Sequence, residues 1–245
     1  MKIEIKRYID EKVQKEEWVS YDLDADGMTL FEALSYIKAN QDPSLSFSSG
    51  CRSGVCGSCG VRVNEKEQLM CSYKVKDGDR VEALANMPVV RDLIVDITAA
   101  QKTISNSKAW LDETHTKLYN ISHEASLRNE LQSDCILCGS CYSACPVFSV
   151  KESFLGPFAL TRVLRYVADE RECDEKSKID RVQTDGIWDC TLCNECTFVC
   201  PQDISSKADI EKLRAKSAQH GYMDPNFSQS FGGGFGGGFD GSPTF

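Results

Sequence analysis

The sequence predicts an α+β chain, an N-terminal β-grasp sheet followed by an α-helical domain. Three observations carry this reading. Short alternating strands and one capped helix fill the first part, apolar residues return at helical spacing after Pro88, and the 13 cysteines gather in blocks. One block lies in the strand-rich part and two lie in the helical part, separated by the cysteine-free stretch 72–134. That gap is a natural place for a domain boundary. The division expected is 1–100, 101–220 and a tail at 221–245.

Residues 2–8, Lys-Ile-Glu-Ile-Lys-Arg-Tyr, alternate as a half-buried strand does. Residues 16–23 read as its hairpin partner. Thr29-Leu30-Phe31-Glu32 is a capping box, opening a helix with Leu30, Leu34 and Ile37 on one face. Asn40-Gln41-Asp42-Pro43 ends it. Strands are expected near 60–63, 67–70 and 80–84, around a cysteine loop. From Pro88 the chain reads as helical, with Val90, Leu93, Ile94 and Ile97 on one face. Further helices are expected at 124–132, at 156–170, where Gly156-Pro157 suits a helix start, and at 206–218.

Composition bounds the function. The chain has 245 residues, 41% hydrophobic and 27% charged, which suits folded domains rather than a disordered chain. No run of 18 apolar residues is present, so no transmembrane segment is expected, and Met1 to Asp10 lacks a signal-peptide core. A net charge of -9 argues against nucleic acid as a partner.

The second and third blocks share the spacing C-x2-C-x2-C-x3-C-P. One is Cys135, Cys138, Cys141, Cys145 and Pro146; the other is Cys190, Cys193, Cys196, Cys200 and Pro201. This is the bacterial ferredoxin pattern. Three closely spaced thiolates wrap one cluster and the fourth ligates the cluster of the other motif. Site A is therefore expected to use Cys135, Cys138, Cys141 and Cys200, and site B Cys145, Cys190, Cys193 and Cys196. The competing reading is zinc held by paired C-x2-C units. It does not call for a third cysteine, and a fourth before proline, in both halves.

The first block, Cys51, Cys56, Cys59 and Cys71, has the C-x4-C-x2-C…C spacing of plant-type [2Fe–2S] proteins. Gly50, Gly54, Gly57 and Gly60 punctuate it and let backbone N–H groups turn toward cluster sulfurs. Cys173, set among Asp169, Glu170, Glu172, Asp174 and Glu175, reads as an exposed free thiol, since acidic neighbours disfavour the thiolate. His115, His123 and His220 read as surface or helix residues. The Gly/Phe-rich stretch after Gly221 reads as a disordered tail, with a sticky tether as its sharper alternative.

Over about residues 1–220 the chain resembles the iron–sulfur subunit of succinate dehydrogenase and fumarate reductase. The resemblance rests on Asp42-Pro43, on Cys51-Arg52-x-Gly54-x-Cys56-Gly57-Ser58-Cys59, and on the eleven-residue gap to Cys71. Pro88-Val89-Val90-Arg91-Asp92-Leu93-Ile94-Val95-Asp96 and Leu155-Gly156-Pro157 complete it. It implies a plant-ferredoxin-like domain followed by a bacterial-ferredoxin-like one. It also implies an FAD-containing flavoprotein partner carrying the dicarboxylate site, and a membrane or cysteine-rich partner on the quinone side. A place on the inner membrane follows, on its cytoplasmic face unless a signal-bearing partner exports the complex.

Two departures stand out against that resemblance. Most members lack the second cysteine of the third motif and hold [3Fe–4S] there; here Cys193 fills the position, so one [2Fe–2S] and two [4Fe–4S] clusters are expected, with [3Fe–4S] as the alternative at site B. Ser149 and Thr191 stand where quinone-linked succinate oxidisers usually carry tryptophan and histidine. The expected role is an electron wire with no catalytic acid, base or nucleophile of its own, since the cofactors hold the chemistry. A fourth thiolate lowers the potential of site B, which suits menaquinol as donor and fumarate reduction as the favoured direction. The rivals are the iron–sulfur subunit of a thiol/disulfide-linked reductase and a zinc-binding interaction module.

Overall fold

The computed structural model describes residues 1–10, 15–24, 26–112 and 121–225. His115 and the Gly/Phe-rich stretch from residue 226 lie outside the described residues.

Alternation in the first strand works as expected. β1 (Lys2–Asp10) turns Ile3 and Ile5 into the core and pairs antiparallel with β2 (Lys15–Asp22). α1 (Leu30–Asn40) follows, its capping box closed by Glu32 N–H donating to Thr29 Oγ1 at 3.2 Å and Thr29 N–H donating to Glu32 Oε2 at 2.7 Å. Leu30, Ala33, Leu34 and Ile37 are fully buried against the sheet. Each large side chain buried this way stabilises by about 1.5–3 kcal/mol. β3 (Gly60–Val63), β4 (Lys66–Leu69) and β5 (Arg80–Glu82) complete a mixed sheet in the order β2-β1-β5-β3-β4, with β1 and β5 parallel. A helix crossing a mixed sheet with parallel central strands is the β-grasp arrangement.

One expectation fails between Pro88 and Ile97. Instead of a helix the chain makes a hairpin, β6 (Val89–Arg91) and β7 (Ile94–Val95), and helix begins only with α2 (Thr98–Asn106). Leu93 is buried in the first core while Val90 is 54% exposed, so the four apolar residues do not share a face. The cause is long-range. Asp92 sits at φ +48°, and its carboxylate accepts from Tyr8 N–H at 2.9 Å and Ser46 N–H at 2.8 Å. Buried Arg7 pairs with Asp92 at 2.9 Å and with Asp42, and donates to Tyr21 Oη at 2.7 Å. Burial works to raise the Asp42 carboxyl, but hydrogen bonds from Ser44, Tyr21 and Arg7 outweigh it and hold it well below the usual carboxylate range. A buried cation with two acids thus locks the turn that short-range periodicity alone cannot reveal.

The helical part contains α3 (His123–Leu127) and α4 (Glu130–Ser133), which replace one expected helix and are separated by Asn129 at φ -127°, ψ 12°. α5 (Ser140–Ser143), α6 (Pro157–Val167), α7 (Glu175–Arg181), α8 (Glu195–Phe198) and α9 (Ser206–Gln219) follow. α6 begins at Pro157, where the missing N–H costs nothing. The second core is built from α6 and α9, with Leu160, Val163, Ile210 and Leu213 around fully buried Tyr142 and Phe154. Leu84 and Met87, from the end of the first sheet, pack into it as well.

Candidate metal centres

The first cysteine loop lies between α1 and β3. Its backbone turns N–H groups onto sulfur: Ser53 and Val55 each donate to Cys51 Sγ at 3.4 Å, and Cys51 donates to Cys56 Sγ at 3.3 Å. The Ser53 hydroxyl, with these N–H groups behind it, brings the Cys51 thiol down to about 6. Cys59 and Cys71 form a second pair, their sulfurs 3.4 Å apart, and burial pushes Cys59 up to about 11. A side chain on Gly50 would stand 2.8 Å from both Cys56 Sγ and Ser58 Oγ and fill this cradle. Two thiol pairs with inward donors fit the group that the spacing implies.

The second and third blocks fold alike. Leu137 and Leu192, each just before the second cysteine of its motif, are left-handed at φ +55° and +57°, and Gly139 and Asn194, just after it, at +83° and +75°. Such φ values are costly for leucine, and Asn is among the few side chains that tolerate them. The repeated strain bends each loop around its own centre, and each ends in a one-turn helix, α5 or α8.

The sulfurs sort across the motifs. Cys135, Cys138, Cys141 and Cys200 line one pocket, together with Phe158 and Thr161. Burial raises the Cys135, Cys138 and Cys141 thiols, and Cys200 lies close enough to raise all three further. Cys145 instead senses Cys190 and Cys193. Cys196 is pushed up to about 12 by burial first and then by Cys190, Cys145 and Cys193. The two groups adjoin, since Cys141 also senses Cys196. Arg214 on α9 pins the start of the third motif, its Nη2 donating to Ile187 O and Cys190 O, each at 2.7 Å.

The first loop docks on the loops of site A. A Cβ on Gly57, at φ +72°, would stand 2.4 Å from Ile136 O and 2.9 Å from Cys138 Cα. Gln202, two residues past Cys200, donates to Gly54 O at 3.1 Å. Gln202 went unnoticed at the level of sequence, where only its place after Cys-Pro marks it. Exposed Cys173 stays outside these groups, its Sγ 3.4 Å from Arg171 O. His123 is exposed, and His220 pairs with Glu175 at 3.0 Å.

Residues 2–102 match the 2Fe-2S iron-sulfur cluster binding domain, and residues 131–204 match the 4Fe-4S dicluster domain. The chain is 36% identical to the fumarate reductase iron-sulfur subunit of Escherichia coli O6:H1, over 89% of this chain and 93% of that relative. The chain belongs to the succinate dehydrogenase/fumarate reductase iron–sulfur subunit family. As a member of that family it is an iron–sulfur electron-transfer subunit of an oxidoreductase complex. A second member, the 8-methylmenaquinol:fumarate reductase iron-sulfur subunit of Wolinella succinogenes, is 34% identical over 90% of this chain and 74% of its own length. The family fold is shared with a chain of the Mycobacterium smegmatis Sdh1 complex in the apo form, at TM-score 0.78 and 21% identity, covering 91% of this chain and 98% of that one. Among the described residues no helix is long and apolar enough to cross a membrane.

Proposed function

We propose that this iron–sulfur subunit holds three clusters in a row and favours fumarate reduction. Cys51, Cys56, Cys59 and Cys71 are the ligands of a [2Fe–2S] cluster. Cys135, Cys138, Cys141 and Cys200 hold a [4Fe–4S] cluster at site A. Cys145, Cys190, Cys193 and Cys196 hold a second at site B. The observation that carries this reading is the crossed grouping, in which the fourth cysteine of each motif sits with the first three of the other. The use of a third cysteine, and a fourth before proline, in both motifs favours clusters over zinc.

When bound, the clusters supply one-electron transfer. The chain's own residues do the rest. The N–H groups of Ser53 and Val55 stabilise negative charge on Cys51. Partial burial of Cys135, Cys138, Cys141 and Cys200 limits the water around the sulfurs of site A. Gly57 and Gln202 hold the first loop against the loops of site A. The first domain, 1–100, then faces an FAD flavoprotein, and the domain 101–220 carries site B toward a quinone-side subunit. The complete set at site B, through Cys193, supports a low potential there and hence quinol-driven fumarate reduction. The names of the relatives from Escherichia coli and Wolinella succinogenes agree with that direction. A peripheral place on the cytoplasmic face of the inner membrane follows from the same reading.

Reconstitution tests it. With a reduced viologen as donor, fumarate reduction is expected only once an FAD flavoprotein partner is added. With a menaquinol donor it should require this chain and a quinone-side subunit as well. Fumarate turnover by this chain alone, free of flavin, would contradict the reading.

A further inference from the structure

We propose that Asn86, on the connection that follows β5, is a positioning residue for site B, whose cysteines all lie in the other domain. The inference rests on the ligand assignment above and adds a residue that no cysteine motif contains.

Cys145 is the ligand that site B borrows from the other motif. It follows α5, a helix of only four residues, Ser140–Ser143, whose end is held locally by Cys145 N–H donating to Tyr142 O at 3.1 Å and Ser149 N–H donating to Cys145 O at 3.3 Å, leaving second lone pairs on these carbonyls for a further donor. Pro146 comes next and offers no N–H. The donor comes from the first domain. Asn86 Nδ2 lies 3.0 Å from Tyr142 O, 2.9 Å from Ser143 O and 3.2 Å from Cys145 O. The amide has two hydrogens for three acceptors, so one bond is shared. Asn86 itself is left-handed at φ +61°, a conformation that asparagine tolerates.

Two further contacts bind the same segment. Ala85 N–H donates to Ser143 Oγ at 2.8 Å, and Ser143 Oγ donates to Glu67 Oε1 on β4 at 2.7 Å. Glu67 is buried and braced by Arg62 Nε at 3.4 Å. The first domain therefore presents an amide, a backbone N–H and a carboxylate to Tyr142–Cys145. Of these three, only the amide reaches the carbonyl of the ligand itself, where it joins Ser149 N–H. Removing it leaves Cys145 O with the single, longer bond from Ser149 and loosens one corner of site B.

The test uses Asn86→Gly in the full holo-chain, purified without air. Glycine keeps the left-handed backbone and deletes only the amide. Samples taken during exposure to ferricyanide are re-reduced with dithionite, and EPR of the reduced samples follows each cluster. Site B is expected to be lost about tenfold faster than in wild type, the size of one or two hydrogen bonds, while [2Fe–2S] and site A keep their wild-type rates. Unchanged loss at site B, or equal acceleration at all three sites, overturns the proposal. Should Asn86→Gly give no holo-protein, Asn86→Ser, which keeps one donor, decides by the same outcomes with a smaller shift. Cys145→Ala separates the two levels: an unchanged [4Fe–4S] signal at site B there refutes the ligand assignment, whereas its loss alongside an unaffected Asn86→Gly refutes only the role of Asn86.

Discussion

Cys200→Ala is expected to strip the [4Fe–4S] cluster of site A and leave site B in place. Motif-by-motif ligation would give the reverse, because Cys200 closes the third block in sequence. In space its influence falls on Cys135, Cys138 and Cys141, and Cys145 takes the corresponding place beside Cys190, Cys193 and Cys196. Three thiols would remain beside Phe158 and Thr161, enough at most for a three-iron remnant, with no fourth sulfur to complete the set. EPR of the reduced variant should therefore show one [4Fe–4S] signal, with the potential of site B, and a normal [2Fe–2S] signal. Electron delivery from the first site to site B should fall sharply, since the middle [4Fe–4S] step is gone. Loss of site B with site A intact would refute the crossed assignment.

Gly57→Ala should carry the second large effect, on both stability and transfer. An alanine at φ +72° costs about 1–2 kcal/mol for its backbone alone. Its Cβ would also stand 2.4 Å from Ile136 O and 2.9 Å from Cys138 Cα, which are main-chain atoms of the facing loop and cannot turn aside. The two loops must part. Tunnelling falls steeply with separation, so electron passage from the first site to site A should slow while each cluster keeps its own EPR signal. Gly78→Ala supplies the control. Gly78 has φ +81° with nothing within 4 Å of its would-be Cβ, so it should lose similar stability and no transfer rate. Equal transfer rates in both variants would show that the contact at Gly57 does not set the spacing.

Much of this was legible from the residues. Thiol spacing is a local property that can be read directly from the chain, and so is the capping box at Thr29 and Glu32, which closes as the sequence implies. The strands of the sheet were readable because Ile3 and Ile5 alternate with charged residues that stay outside the core. What sequence hid depends on contacts across the chain. Val90, Leu93, Ile94 and Ile97 fit a helical period, yet Asp92 is bent by Tyr8, Ser46 and Arg7, which lie far away in sequence. Asn129 breaks a segment whose propensity alone reads as one helix. Gln202 meets Gly54 across 148 residues, and Asn86 meets Cys145 across 59. No short motif marks a side chain whose partner is a backbone carbonyl in another domain.

A wire of three clusters requires a complete set of thiolates at site B, and EPR of the anaerobically purified chain reads out that set. Stepwise reduction is expected to reveal one [2Fe–2S] signal and two separately titrating [4Fe–4S] signals, and the oxidised protein should show no [3Fe–4S] signal. Cys193→Ser should bring that signal up at site B and nowhere else. A strong [3Fe–4S] signal in the oxidised wild-type chain, present without exposure to air, would contradict the account.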